Sequence, residues 1–316
     1  MEKKSPIDLG YGIHLIDGLD MNFPGRTGTY VIEAEQLTLV EIGPSPSVPY
    51  ILEGLKALQI DPAEIKWIVL THIHLDHAGG AGLFLKECPN ATIVVHPRGK
   101  RHLADPSKLI AGARAVYGNT FDELFNPILP IPENRIITKE DSDTLDIGPD
   151  RRLTFYDSPG HAKHHFSIHD SLSNGIFTGD TAGVRYHQTE DHGLIFYLPS
   201  TSPNQFDPDA MLNSIDRFRN LGVDRIYFGH FSVSTEPNEV FRQVSEWLPR
   251  FVEAGKQGTA NGEDDKTIAK RLYAVVSEYL RQEGIPDDHP VYEILKVDFA
   301  VCAMGLVDYW NKQNQK

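Results

Sequence analysis

The sequence predicts an α/β protein with a helical appendage. Three observations carry that prediction. The chain has 316 residues, 40% apolar and 23% charged, enough to bury a sizeable core without disulfides. Up to about residue 235, short β-branched and aromatic runs alternate with stretches of helical spacing. From about 236 only helical spacing remains. The expected division is a core domain, 1–235, with a helical insertion at about 97–130, then a helical C-terminal region, 236–316.

Gly12-Ile13-His14-Leu15-Ile16 reads as the first strand. Thr29 to Ile32 and Leu37 to Val40 read as two more, joined by a short polar turn. Tyr50 to Leu58 has helical spacing, and Asp61-Pro62 resembles a cap with proline at the first helical position. Trp67-Ile68-Val69-Leu70 is a buried strand running straight into Thr71-His72, and Ala91 to Val95 is another, ended by His96-Pro97. The insertion that follows, helical at Lys108 to Tyr117, is long enough to serve as a lid. Leu153 to Tyr156, Phe166 to His169 and Gly175 to Thr178 are strands of the second half. Asp207-Pro208 caps a helix running to Asn220 and ended by Gly222. Arg225 to Phe228 is the last core strand. Glu239 to Glu253, Lys266 to Gln282 and His289 to Trp310 are helical, with Gly255 to Asp265 expected as an exposed loop.

The net charge of −14 argues against nucleic acid and anionic membrane surfaces as partners. Cys88 and Cys302 both lie in apolar surroundings and are expected as buried thiols. Met1 to Pro6 starts basic, but no apolar stretch of signal-peptide length follows, and no run of about 18 apolar residues exists. A cytoplasmic protein acting on a small molecule is the expectation. The apolar segment Val297 to Trp310 either packs on the core or pairs two chains as a homodimer.

The decisive segment is Thr71-His72-Ile73-His74-Leu75-Asp76-His77-Ala78-Gly79-Gly80. Three imidazoles and a carboxylate within six residues, at the end of a strand, form a donor set suited to zinc, manganese or iron. His72 and His74, two apart on an extended chain, point the same way. Asp76 and His77 lie past the turn and reach a second ion. Three more candidates follow apolar strands, each with an adjacent glycine that allows close backbone approach: His161 after Gly160, Asp180 after Gly179, His230 after Gly229.

This ordered set, HxHxDH then His, Asp and His, resembles the metallo-β-lactamase superfamily over roughly residues 10 to 235. His77 is similar to the residue of the glyoxalase II and lactonase branches. The resemblance implies an αββα four-layer sandwich with metals at one edge, the catalytic domain being 1–235. It also implies that His72, His74 and His161 bind one ion, that Asp76, His77 and His230 bind the other, and that Asp180 bridges. His164 and His165 are rivals to His161. Glu41, at the end of a strand where the family has an Asp-containing turn, is a candidate to hydrogen-bond a ligand histidine.

The implied activity is that of a dinuclear metallohydrolase with two divalent ions, zinc foremost, manganese or iron as alternatives. A hydroxide shared by the ions attacks an ester, lactone or thioester. Asp76 orients the nucleophile and passes a proton, and no G-x-S-x-G elbow is present. Tyr186 is a candidate for the tyrosine that lactonases place shortly after the bridging Asp, although here Val184 and Arg185 precede it and the spacing differs. Aromatic residues after Asp180, namely Tyr186, Phe196, Tyr197 and Phe231, suit an apolar pocket wall together with the 97–130 insertion, with Phe196 favoured as core. Arg185 is a candidate partner for an anionic group. His187 and His192 are candidates to approach substrate. The rival readings are a mononuclear-iron persulfide dioxygenase using His72, His161 and Asp180, a nuclease or phosphodiesterase on the same fold, and a non-catalytic binding protein.

Overall fold

The structure is a computed structural model that describes residues 5–315, so the basic Met1 to Lys4 lie outside it. In chain order the elements of the first half are β1 (Ile7–Asp8), β2 (Ile13–Asp17), β3 (Gly28–Ile32), β4 (Thr38–Val40), α1 (Val48–Ala57), β5 (Trp67–Val69), α2 (Leu75–Ala78), α3 (Ala81–Phe84), β6 (Thr92–Val95), α4 (Pro97–Ala104), α5 (Ser107–Tyr117), α6 (Phe121–Phe125) and β7 (Ile136–Thr138). The second half runs β8 (Thr144–Gly148), β9 (Arg151–Asp157), β10 (Phe166–Asp170), β11 (Gly175–Gly179), β12 (Val184–Arg185), β13 (Tyr197–Leu198), α7 (Pro208–Leu221), β14 (Arg225–Phe228), β15 (Val233–Ser234), α8 (Pro237–Ala260), α9 (Asp265–Gln282) and α10 (Val291–Gln313).

The chain divides into two compact units. Among the described residues the larger comprises 5–157, 164–179 and 223–235, and the smaller 158–163, 180–222 and 236–315.

Two sheets build the larger unit. The first has seven strands in sequence order, antiparallel from β1 to β4 and parallel from β4 to β7. The second has six, ordered β15-β14-β11-β10-β9-β8, with β11 parallel to β14. The two-residue period of a strand explains how the first sheet serves two cores. On β5 and β6, Ile68, Ile93 and Val95 face α1 to α4, whereas Val69 and Val94 join Tyr30, Phe155 and Phe177 between the sheets. That double burial is why Trp67 to Leu70 reads as continuously apolar. The carboxyl ends of β4, β5 and β14 carry Glu41, Thr71-His72 and Gly229-His230, the placement at which open parallel sheets present ligand groups.

The insertion is helical, as its spacing predicts: α6 packs Phe121 and Phe125 with Leu75, the first residue of α2, and α5 adds Leu109, Ile110 and Ala113. Helix α3 meets the end of this insertion so closely that a Cβ on Gly82 would lie 2.1 Å from Leu129 O.

The smaller unit holds the β12–β13 pair and helices α7 to α10. Asp207 caps α7 by accepting from Ala210 N at 3.0 Å, and Gly222 ends it in the left-handed region at φ 64°. Asp61 caps a short 3₁₀ helix, Pro62–Glu64, with Pro62 at its first position as the sequence suggests, and its residues stay unburied and gain no packing to extend it. One expectation is corrected. The stretch from Gly255 is not a loop until after Ala260. Helix α8 continues because both glycines lie against neighbours, Gly255 against Leu306 and Gly258 against Ile268, so their lack of a side chain serves helix packing.

Candidate metal centre

The HxHxDH segment leaves β5 in extended backbone, with His74 at φ −62°, ψ 149°, and turns into α2 at Leu75. His72 and His74 therefore precede the turn, and Asp76 and His77 follow it. Ring centroids of His72 lie 4.7 Å from His74 and 4.2 Å from His77. The β14–β15 turn brings in His230, whose ring is 5.2 Å from His77. Tyr30 clamps that turn: its hydroxyl lies 2.7 Å from both Phe228 O and Ser232 O. Asp76 Oδ2 is 3.4 Å from His77 Nε2 and 3.6 Å from His230 Nε2. Donor atoms of Asp76, His77 and His230 all lie within 4.8 Å of one another. His72 and His77 are buried, whereas the Asp76 side chain keeps 23% exposure and is the member open to an incoming molecule.

A ligand imidazole must be neutral, with the coordinating nitrogen deprotonated, and that tautomer is set by what the other nitrogen touches. Glu41 does this for two rings at once. Its Oε2 lies 2.8 Å from His77 Nδ1, so that nitrogen carries the proton and Nε2 keeps its lone pair. Its Oε1 accepts a short hydrogen bond from Thr71 Oγ1. Having given its one proton to a group that only accepts, Thr71 Oγ1 receives from His72 Nδ1 at 3.0 Å, and Nε2 of His72 is also left as a lone pair. The backbone holds Glu41 to this task. Glu41 N donates to Val69 O, and Ile42 N and Gly43 N both donate to His77 O, at 3.2 and 3.0 Å. Glu41 itself sits in the left-handed region at φ 64°, a conformation that costs a non-glycine residue.

His164 and His165 stand beside these rings, His165 stacked on His72 at 4.9 Å and His164 edge-on to His74 at 5.3 Å. A buried pair completes the surroundings. Asp20 Oδ2 is 3.3 Å from Arg26 Nε, and burial pushes the Asp20 carboxyl above its ordinary range, with Arg26 partly opposing.

The other two expected ligands, His161 and Asp180, belong to the smaller unit. His161 Nε2 lies 3.5 Å from Asp180 Oδ2, and both side chains are buried. Ser200 O, which can only accept, lies 3.2 Å from His161 Nδ1 and fixes the proton there, so Nε2 is again the lone-pair nitrogen. Ser202 Oγ is 3.2 Å from that Nε2, and Ser200 Oγ donates to Asp180 Oδ2 at 3.2 Å. Asp76, His77 and His230 in the larger unit, and His161 and Asp180 in the smaller, are donors of the types that hold divalent zinc or its neighbours.

Tyr186 is buried and donates its hydroxyl to Asp298 Oδ2 at 2.8 Å. Arg185 pairs with Glu190 at 2.7 Å. Phe196 is fully buried, stacked on Tyr279 at 5.5 Å. His192 joins Asp191 and His289 in a second cluster. There Val291 N donates to His289 Nδ1 at 3.2 Å, so His289 Nε2 carries the proton and lies 3.2 Å from Asp191. Coordination through Nε2 would need an imidazolate, so this trio is a hydrogen-bonded clasp rather than a donor set. Sequence reasoning passed over Thr71, Ser200, Ser202, Asp20 and Arg26. Only Thr71, next to the histidine motif, carried any signal.

The family model of the metallo-β-lactamase superfamily matches residues 23–230. The chain belongs to that superfamily. Superfamily protein ST1585 of Sulfurisphaera tokodaii is 28% identical over 223 residues, 69% of this chain and 78% of that protein. Its crystal structure superposes with TM-score 0.62 at 25% identity, covering 77% of this chain and 87% of that one. The N-acyl homoserine lactonase AttM of Azorhizobium caulinodans is 36% identical over 150 residues, 46% of this chain and 52% of AttM, so the match spans about half of that lactonase. The superfamily protein TTHA1429 from Thermus thermophilus covers 97% of this chain and 95% of its own at TM-score 0.67 and 18% identity, a likeness of fold. The metallo-β-lactamase fold expected from the motif, mixed sheets and helices with a helical C-terminal segment, is the fold of this chain. It is a fold of metal-dependent hydrolases, and no helix among the described residues is long and apolar enough to cross a membrane.

Proposed function

We propose that this superfamily member is a dinuclear hydrolase of a lactone or a related ester or thioester, holding zinc or a similar ion at His72, His74 and His161, and a second at Asp76, His77 and His230, with Asp180 bridging. The observation that carries the reading is the carboxylate of Glu41, which leaves His72 and His77, one from each set, with lone pairs on Nε2. Two divalent ions in this set would supply the Lewis acidity that brings a shared water's pKa near neutrality and polarises a carbonyl oxygen. Asp76 is the partly exposed carboxylate placed to hold the attacking water and take its proton. The AttM relatives are named as N-acyl homoserine lactonases, which favours a lactone.

A chemical role for Tyr186 requires its phenol to exchange partners, since it donates to Asp298. Tyr186→Phe decides this. Acid–base help is worth about 10²–10⁴ in rate, so a fall in kcat of that size assigns Tyr186 to chemistry, and an unchanged kcat leaves it in the Asp298 support.

Elemental mass spectrometry on protein purified without added metal, followed by lactone, ester and thioester panels, tests the whole reading. About two zinc or manganese ions per chain with lactone turnover is the expected result. One iron with oxygen uptake on a persulfide would transfer the chain to the dioxygenase reading. A chain that neither contains nor takes up metal would sink the proposal.

A further inference from the structure

Helix α10 lies beyond the residues matched by the family, 23–230, yet one stripe of it is spent on the segment that carries the hydroxyl and carbonyl partners of His161 and Asp180. Asp298, Cys302, Gly305, Tyr309 and Lys312 recur at steps of four and three, the spacing that shares one helix face. Asp298 accepts from Tyr186, and Cys302 O accepts from Thr201 Oγ1 at 3.0 Å. Tyr309 packs edge-on to Phe206 at 5.7 Å, and Lys312 Nζ donates to Asn204 O at 2.7 Å. Gly305 meets the segment with backbone alone. A Cβ there would stand 2.0 Å from Thr201 O and 2.7 Å from Ser202 C. No rotamer change relieves a clash with main chain, so any side chain at 305 must push the helix or residues 201–202 away.

The residues so held are the ones that set His161. Ser200 O fixes its Nδ1 proton, Ser202 Oγ faces its Nε2, and Ser200 Oγ reaches Asp180. The far side of the same loop is tied to the His161 segment by Asp207 N on Gly160 O and Lys163 N on Gln205 Oε1, both at 2.8 Å. We infer that Gly305 and Thr201 are positioning residues: the C-terminal helix sets the place of the 200–202 backbone, and that backbone sets the tautomer and aim of the His161 imidazole and the orientation of Asp180. The functional meaning rests on the metal-centre reading, but the orientation is measurable without any ion.

The test uses the full chain with Gly305→Ala, Thr201→Val, Thr201→Ser and Phe299→Leu. Phe299 is on α10 but packs on Phe251, so it reports loss of helix packing alone. Ring ¹⁵N resonances of His161 in metal-free protein read the tautomer, and competition between zinc and a chelator reads affinity. Gly305→Ala and Thr201→Val are expected to lose the pure Nδ1–H form and to bind zinc about 10–100-fold more weakly, the usual effect of removing a ligand's supporting partner. Thr201→Ser, which keeps the hydroxyl, restores both, and Phe299→Leu lowers the melting temperature while leaving both. If Gly305→Ala does not fold, Thr201→Val carries the test. An unchanged His161 tautomer and zinc affinity in the folded variants overturns the inference, as does an equal change in Phe299→Leu. Failure of the wild-type chain to take up zinc or manganese sinks the hydrolase reading instead, and the ring resonances still decide the positioning.

Discussion

A carboxylate accepts at both oxygens and an amide at only one. Glu41 uses both, one toward Thr71 and one toward His77. Glu41→Gln must therefore break one of the two links, turning a donor toward either Thr71 or His77. Zinc affinity is expected to fall about 10–100-fold with little loss of fold, measured by chelator competition; unchanged affinity would mean the rings are oriented by something else. This residue was within reach of sequence reasoning because it ends a strand where the family has an Asp-containing turn. Thr71 offered only its place at the head of the motif, since a hydroxyl between a carboxylate and an imidazole leaves no pattern of its own until the chain is folded. The two cysteines allow a second prediction. Burial pushes the Cys88 thiol to about 12 and the Cys302 thiol to about 11. At pH 8 a thiol with pKa near 11 is about one part in a thousand thiolate. Iodoacetamide should leave the native protein unlabelled and modify both cysteines in urea, and mass spectrometry showing prompt native labelling would contradict the burial of these residues.

Elements with one strong period were legible: β5, β6, β11, α5, α7 and α9 all lie within a residue or two of where their spacing puts them. Short edge strands such as β1, β12 and β15 were not, because two residues carry no period and exist through pairing with a neighbour. The glycines of α8 misled for a related reason, since a residue that breaks isolated helices is welcome where another helix presses on it. Gly82 in α3 makes the same point testable. In a free helix, replacing glycine with alanine stabilises by about 1 kcal/mol. Here the added carbon meets Leu129 O, so Gly82→Ala should destabilise, by about 1–3 kcal/mol, in urea denaturation. A stabilised variant would show that the insertion does not press on α3.

At the scale of the whole molecule, the sequence declared the family through seven residues, but not how the chain divides into compact units. Residues 180–222 group with the C-terminal helices although they precede β14 in the chain, an assignment made by tertiary contact that no composition shift marks. Binding of ions to the native state alone should raise its stability, by about 4 kcal/mol at a thousandfold excess over Kd. Dialysis against a chelator is then expected to lower the calorimetric melting temperature by roughly 10 °C, and zinc to restore it. A transition indifferent to both treatments would show that the native chain holds no ion.

Asp76 and His230 stand 3.6 Å apart in space and about 150 positions apart in the chain. A ribosome adding about 5–20 residues per second delivers the second roughly 8–30 s after the first. For that interval the nascent polypeptide exposes three histidines and a carboxylate lacking their distant partners. The Asp76, His77 and His230 group therefore cannot form before β14 is synthesised, so any ion that this group holds would be taken up late in translation or after release.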